Sequence, residues 1–165
     1  MTANARPCIP ATATPLHEDT AGASPPLAYL GREDGEYVPM LQGSFSWTDG
    51  SVGSDASFAL QAYIAQGLPP PATLRTTGAV ALAVPGPYRI EEWQISMVRW
   101  VPEAWTPDPP ALDPADVPVR MEGAADPTPA VCFEAPPSEL FVSAFIHFED
   151  GQGTSSEYGR LTVEP

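Results

Sequence analysis

Two histidines, two cysteines, four tryptophans and no lysine set the chemistry open to this 165-residue chain. A Ser-His-Asp or Cys-His nucleophile needs an imidazole steered by a third group, and only His17 and His147 are present. His17 falls in a Pro/Ala/Thr-rich stretch, and His147 on the less apolar side of an alternating segment, where an imidazole is ordinarily solvated or half-buried. No H-E-x-x-H, paired C-x-x-C or G-x-S-x-G occurs, which leaves zinc hydrolases and α/β-hydrolases without support. The absence of lysine removes P-loop, Schiff-base and Ser-Lys chemistry. Glu91 and Glu92 would point to opposite faces of a strand, and Glu149-Asp150 are turn residues, so neither pair makes a general acid and base. The expectation is a protein that is not an enzyme and uses no cofactor.

The aromatic residues point elsewhere. Trp47 and Trp93 alternate with polar neighbours as core residues do, with Trp93 at the centre. Trp100 lies on the polar side of its segment and Trp105 in a long loop of prolines and aspartates, 102–118. With Tyr88 they are candidate ligand-binding residues, an exposed platform for a sugar ring or a protein partner, the alternative being packing of a second layer. Asp49 and Asp55, or Asp108, Asp113 and Asp116, offer oxygen ligands, but no D-x-[DN]-x-[DN]-G loop is present, so no metal ligands are assigned. Cys8 and Cys132 admit three readings: a disulfide, a lipid-attachment role for Cys8, or two free thiols.

The elements that must hold these residues are short. Twenty-two prolines and thirteen glycines interrupt the chain so often that long helices are excluded. In 139–148, Leu140, Val142, Ala144, Ile146 and Phe148 alternate with Glu139, Phe141, Ser143, Phe145 and His147, a period that fits a strand and not a helix. After a turn at 149–153, Tyr158, Arg160 and Thr162 interleave with Gly159, Leu161 and Val163, giving a closing hairpin. Further strands are expected at 29–31, 36–41, 43–47, 74–77, 79–84, 91–101, 117–121 and 131–135, with one short helix from Asp55 to Gln66.

Seven basic against twenty-one acidic residues leave a net charge of −14, which repels phosphate backbones and anionic headgroups. No nucleic-acid partner and no membrane insertion are therefore expected, and self-repulsion favours a monomer. The first residues lack an apolar signal region. Either the protein is cytoplasmic, or Met1 precedes a mature segment whose export signal has been removed. The second reading is preferred, because 1–28 has the composition of a tether ahead of a domain at 29–165.

The run Val131-Cys132-Phe133-Glu134-Ala135-Pro136-Pro137-Ser138-Glu139-Leu140-Phe141-Val142 resembles the strand, corner and strand before the final hairpin of bacterial Ig-like modules, with Glu139 and Leu140 where Gly and Tyr are common. Gly43-Ser44-Phe45-Ser46-Trp47, Asp55-Ala56, Gly151-Gln152-Gly153 and Tyr158 are similar to signposts in small exported bacterial lipoproteins. The resemblance implies an extracellular or cell-envelope location and a sandwich fold, and it carries no catalytic residues. The expectation is thus an all-β, antiparallel Ig-like β-sandwich of about seven to nine strands. It acts as a non-enzymatic binding or structural module whose partner is a protein or a polysaccharide. The alternative is a carbohydrate-binding domain using exposed Trp100 and Trp105, and the third reading is a calcium-stabilised adhesion-type module.

Overall fold

The structure, a computed structural model, describes residues 5–9, 26–32, 35–47, 52–54, 64, 65, 67, 69–85, 88–101, 105, 119–149 and 153–165. Among these, twelve strands follow one another: β1 (Arg6–Cys8), β2 (Tyr29–Gly31), β3 (Tyr37–Pro39), β4 (Leu41–Trp47), β5 (Val52–Ser54), β6 (Thr73–Thr76), β7 (Ala79–Ala83), β8 (Ile90–Arg99), β9 (Val119–Thr128), β10 (Ala130–Glu134), β11 (Ser138–Phe148) and β12 (Gly153–Val163). They make a two-sheet sandwich of the generic Ig-like kind. The smaller sheet has the order β1-β10-β7-β2-β3, and the larger runs β5-β4-β12-β11-β8-β9 with β6 added beside β12.

The alternation in β11 does what its period dictates. Leu140, Val142, Ala144, Ile146 and Phe148 are buried, and each large member contributes about 1.5–3 kcal/mol by leaving water. From β8 come Trp93, Ile95 and Met97, and from β12 Leu161 and Val163; across the interior Leu30, Val80, Leu82, Val131 and Phe133 close the core from the smaller sheet. The β11–β12 register runs from Ser138↔Val163 to His147↔Thr154, and β8 flanks β11 on the other side. β12 is gripped twice on its second edge: antiparallel β4 takes 153–158, and parallel β6 takes 160–163.

Close approach between the sheets depends on Gly159. A Cβ there would stand 2.5 Å from Leu30 Cδ1 and 3.3 Å from Met40 Cε, both in side chains that are themselves fully buried. Gly159→Val therefore overfills the interior and is expected to lower stability by roughly 1–3 kcal/mol in denaturant titration. An unchanged midpoint would mean that the sheets separate freely at this point.

Three expectations are corrected. The described residues hold twelve strands, above the seven to nine read from the sequence; β2 and β3 fall where strands were expected, while the three-residue β1 and β5 carry too little periodicity to register. The helix proposed for 55–66 is not an element of the described fold. Only Ile64 and Ala65 show a helical turn, closed by the Gly67 N–H donating to the Ile64 carbonyl at 3.0 Å, while Asp55 and its followers lie outside the described residues. The stretch read as a tether also supplies structure, since β1 pairs with β10 and Ala28 is fully buried.

Candidate functional site

Strand register assembles the outer face of the larger sheet row by row. Side chains of one parity point outward, and the pairings place them beside each other at the interstrand spacing. One row reads Arg120, Ser96, Ser143, Tyr158 and Leu41 across β9, β8, β11, β12 and β4. The next reads Glu122, Gln94, Phe145 and Ser156, and the one beyond it Ala124, Glu92, His147 and Thr154. On the other side stand Val98, Phe141 and Arg160.

Small side chains in the middle of large ones make a hollow. Ser96 and Ser143 form the floor of a groove of about 570 Å³, bounded by Arg120, Glu122, Gln94, Phe145, Ser156 and Tyr158. That volume lies within the range of small-ligand sites. A second depression of about 480 Å³ continues from it past Gln94 and Glu122 to Glu92 and His147. Donors and acceptors thus line a surface whose backbone is fixed by ladders on both sides. His147 packs edge-on against Phe145, with ring centroids 5.1 Å apart.

At one end of the groove rings replace hydroxyls. Tyr158 stacks on Phe141 at 6.0 Å, Phe141 stacks on Trp100 at 5.9 Å, and Trp105 touches both Trp100 (6.1 Å) and Phe141 (6.3 Å). The Trp100 N–H bonds the Glu139 carbonyl at 2.8 Å, which ties the end of β8 to the start of β11. The Arg160 guanidinium lies 4.2 Å from the centre of the Trp100 ring, a cation–π contact. Tyr158 covers Gly43 of β4, where a Cβ would meet its ring at 2.5 Å. Only a residue without a side chain lets that ring lie flat on the sheet.

The sequence candidates divide accordingly. Trp100 and Trp105 are brought together, but Trp100 retains only 8 % of its exposure, so it is the buried base of the cluster and not an exposed ring. Its parity gave the right face; Phe141, Trp105 and Arg160 supply the cover. Tyr88 is separate, half-buried and edge-on to core Phe148 at 6.3 Å. Cys8 and Cys132 form a disulfide that staples β1 to β10. Trp93 is buried with its indole over Gly123, its partner on β9. His17, Asp49, Asp55, Asp108, Asp113, Asp116 and the Trp47 side chain lie outside the described residues. Among the described residues no group of three His, Cys, Asp or Glu is placed to hold a metal ion, and no helix is long and apolar enough to cross a membrane.

Phe141, Phe145, Tyr158, Arg120 and Arg160 were not among the ligand-binding candidates that sequence reasoning named. The signal was available: aromatic and arginine side chains at the solvent-facing parity of an alternating strand have no core to fill. Beneath the groove, on the inner face of β12, lies a further residue that the sequence did not flag. Glu157 is fully buried, with Oε1 accepting from Ser155 Oγ (3.1 Å) and Gln42 Nε2 (3.4 Å), while Oε2 has no partner. Burial pushes its carboxyl up to about 8, against the smaller opposing pull of the bonds from Gln42, Ser155 and the Ala28 N–H. Tyr158 is raised too, first by its own burial and then by the neighbouring Glu157 charge. No family model, curated protein or solved structure matches this chain.

Proposed function

We propose that the outer face of the seven-stranded sheet is a non-catalytic carbohydrate-binding surface, and that the protein is an exported, cell-envelope module of the kind its sequence resembles. One observation carries the reading: a ring cluster continuous with a serine-floored groove on a single rigid face. A pyranose presents an apolar C–H face and a rim of hydroxyls, so it needs a flat aromatic surface beside short polar side chains. Tyr158 and Phe145 supply the rings along the groove, and Ser96, Ser143, Ser156 and Gln94 supply the donors and acceptors. Holding them on a sheet and not on loops limits the entropy lost on binding. The Cys8–Cys132 bond supports export, since structural disulfides persist in oxidising compartments.

Titration of a panel of soluble oligosaccharides, followed by calorimetry and tryptophan emission, tests the reading. At least one glycan is expected to bind. Ser143→Leu, which fills the floor, is expected to abolish that binding, and Trp105→Ala to weaken it about tenfold, equivalent to roughly 1.4 kcal/mol. Binding indifferent to both substitutions, or no glycan bound by the folded wild type, would sink the assignment.

A further inference from the structure

Cations are scarce in this chain, which makes their placement informative. Seven arginines face twenty-one acidic residues, and several are already engaged: Arg32 pairs with Glu36 at 2.7 Å, Arg75 with Glu164 at 3.7 Å, and Arg89 donates to the Tyr88 carbonyl at 2.7 Å. Arg120 and Arg160 differ. Among the described residues neither has a carboxylate within ion-pair distance, although Glu122 is two residues from Arg120 on the same face. Arg120 is exposed and borders the groove. Arg160 lies over Trp100 with its Nε enclosed and, among the described residues, without an acceptor.

We infer that the ligand of this groove is a carboxylate-bearing glycan chain laid across the strands, one acid group meeting Arg120 and another meeting Arg160. This rests on the carbohydrate reading above. Planar guanidinium groups suit carboxylates because two parallel N–H donors match two oxygens, and a protein of net charge −14 that holds two such groups on one face without counter-ions among the described residues has a place for anions there. Arg120 and Arg160 stand on β9 and β12, three interstrand steps apart and one outward row displaced, or about 15 Å. A single sugar does not span that distance, whereas a short linear stretch with acid groups at intervals does. Ser96 and Ser143 between them meet the hydroxyl-bearing middle of the chain. Glu122 repels an acid in the adjoining row and accepts from hydroxyls, so the register of the chain on the sheet is fixed.

The probes are oligomers of polygalacturonate, alginate and hyaluronan, each beside its methyl-esterified form, with dextran and dextran sulfate alongside. Esterification keeps the ring and removes the charge. At least one carboxylated oligomer is expected to bind ten times or more tightly than its ester. Arg120→Gln and Arg160→Gln are each expected to lose about tenfold on the acid form and little on the ester. Equal binding of acid and ester, or equal losses on both in the two variants, overturns the inference. Tight binding of dextran sulfate in preference to the carboxylated oligomers also overturns it, in favour of a sulfate. If only neutral glycans such as dextran bind, the inference falls and the carbohydrate reading stands. If nothing binds to folded protein, both fall.

Discussion

Glu157→Gln is expected to raise the melting temperature, by little at pH 5 and by about 10 °C at pH 9. The reason is the enclosed carboxyl on the inner face of β12. In the unfolded chain it ionises near 4.5, and in the folded protein burial lifts it to about 8. Between those values the folded state holds a proton that the unfolded chain has released. Stability therefore falls as pH rises through that window, is unaffected by this group below it, and reaches its full loss above it. At 1.36 kcal/mol for each pKa unit the loss approaches about 5 kcal/mol, a large part of what a domain of this size possesses. Glutamine keeps the acceptor that Ser155, Gln42 and the Ala28 N–H address and removes the titration. Two denaturation curves at each of several pH values, wild type and variant, isolate the effect from the other carboxylates of the chain. Parallel pH profiles for the two proteins would show that Glu157 is ionised and satisfied in the fold.

Loss of the disulfide is expected to cost roughly 2–5 kcal/mol. Cys8 and Cys132 are 124 residues apart, so the bond closes a loop spanning most of the chain and restricts the unfolded ensemble accordingly. It also holds an element that holds itself poorly. β1 is three residues long, occupies a sheet edge and contains Pro7, which offers no N–H to the ladder. The double variant Cys8→Ser, Cys132→Ser is expected to unfold at lower denaturant, and wild type with reductant to match it. Thiol titration of unreduced, denatured protein should find no reactive group, since no described cysteine is free. Two titratable thiols, or an unfolding midpoint indifferent to reductant, would remove the staple from the account.

How far the sequence disclosed this depends on the length of each element. β11 was legible because eleven residues alternate without a break, and once its parity was known the outward placement of Phe141, Phe145 and His147 followed. The segment at 117–121 extends to Thr128 in β9, through Gly123, Asp126 and Pro127, residues that disfavour strands. Pairing with β8 overrides that local preference, with Trp93 lying over Gly123. β1 was hidden for the opposite reason, since Arg6-Pro7-Cys8 has neither propensity nor period and is held by β10 and a covalent bond. The expected helix at 55–66 rested on the propensity of Ala, Leu and Gln, on Asp55 as a cap, on apolar contacts from Phe58, Tyr63 and Ile64 and on Gly67 as a stop, all of them local signals and weak priors. The groove was not legible from any one segment, because Arg120, Ser96, Ser143 and Tyr158 belong to four strands and only register makes them neighbours. Glu157 escaped notice because the returning strand was read from Tyr158 onward, while its ladder begins at Gly153.

The central position of β12, held on one edge by β11 and on the other by β4 and β6, has a bearing on how the protein is made. A ribosome delivers 153–163 after every partner of that strand, so the larger sheet has a gap down its middle until that segment has been made. Until then β4, β6 and β11 lack the strand that joins them, and the sheet closes around a ribbon made after all of its neighbours.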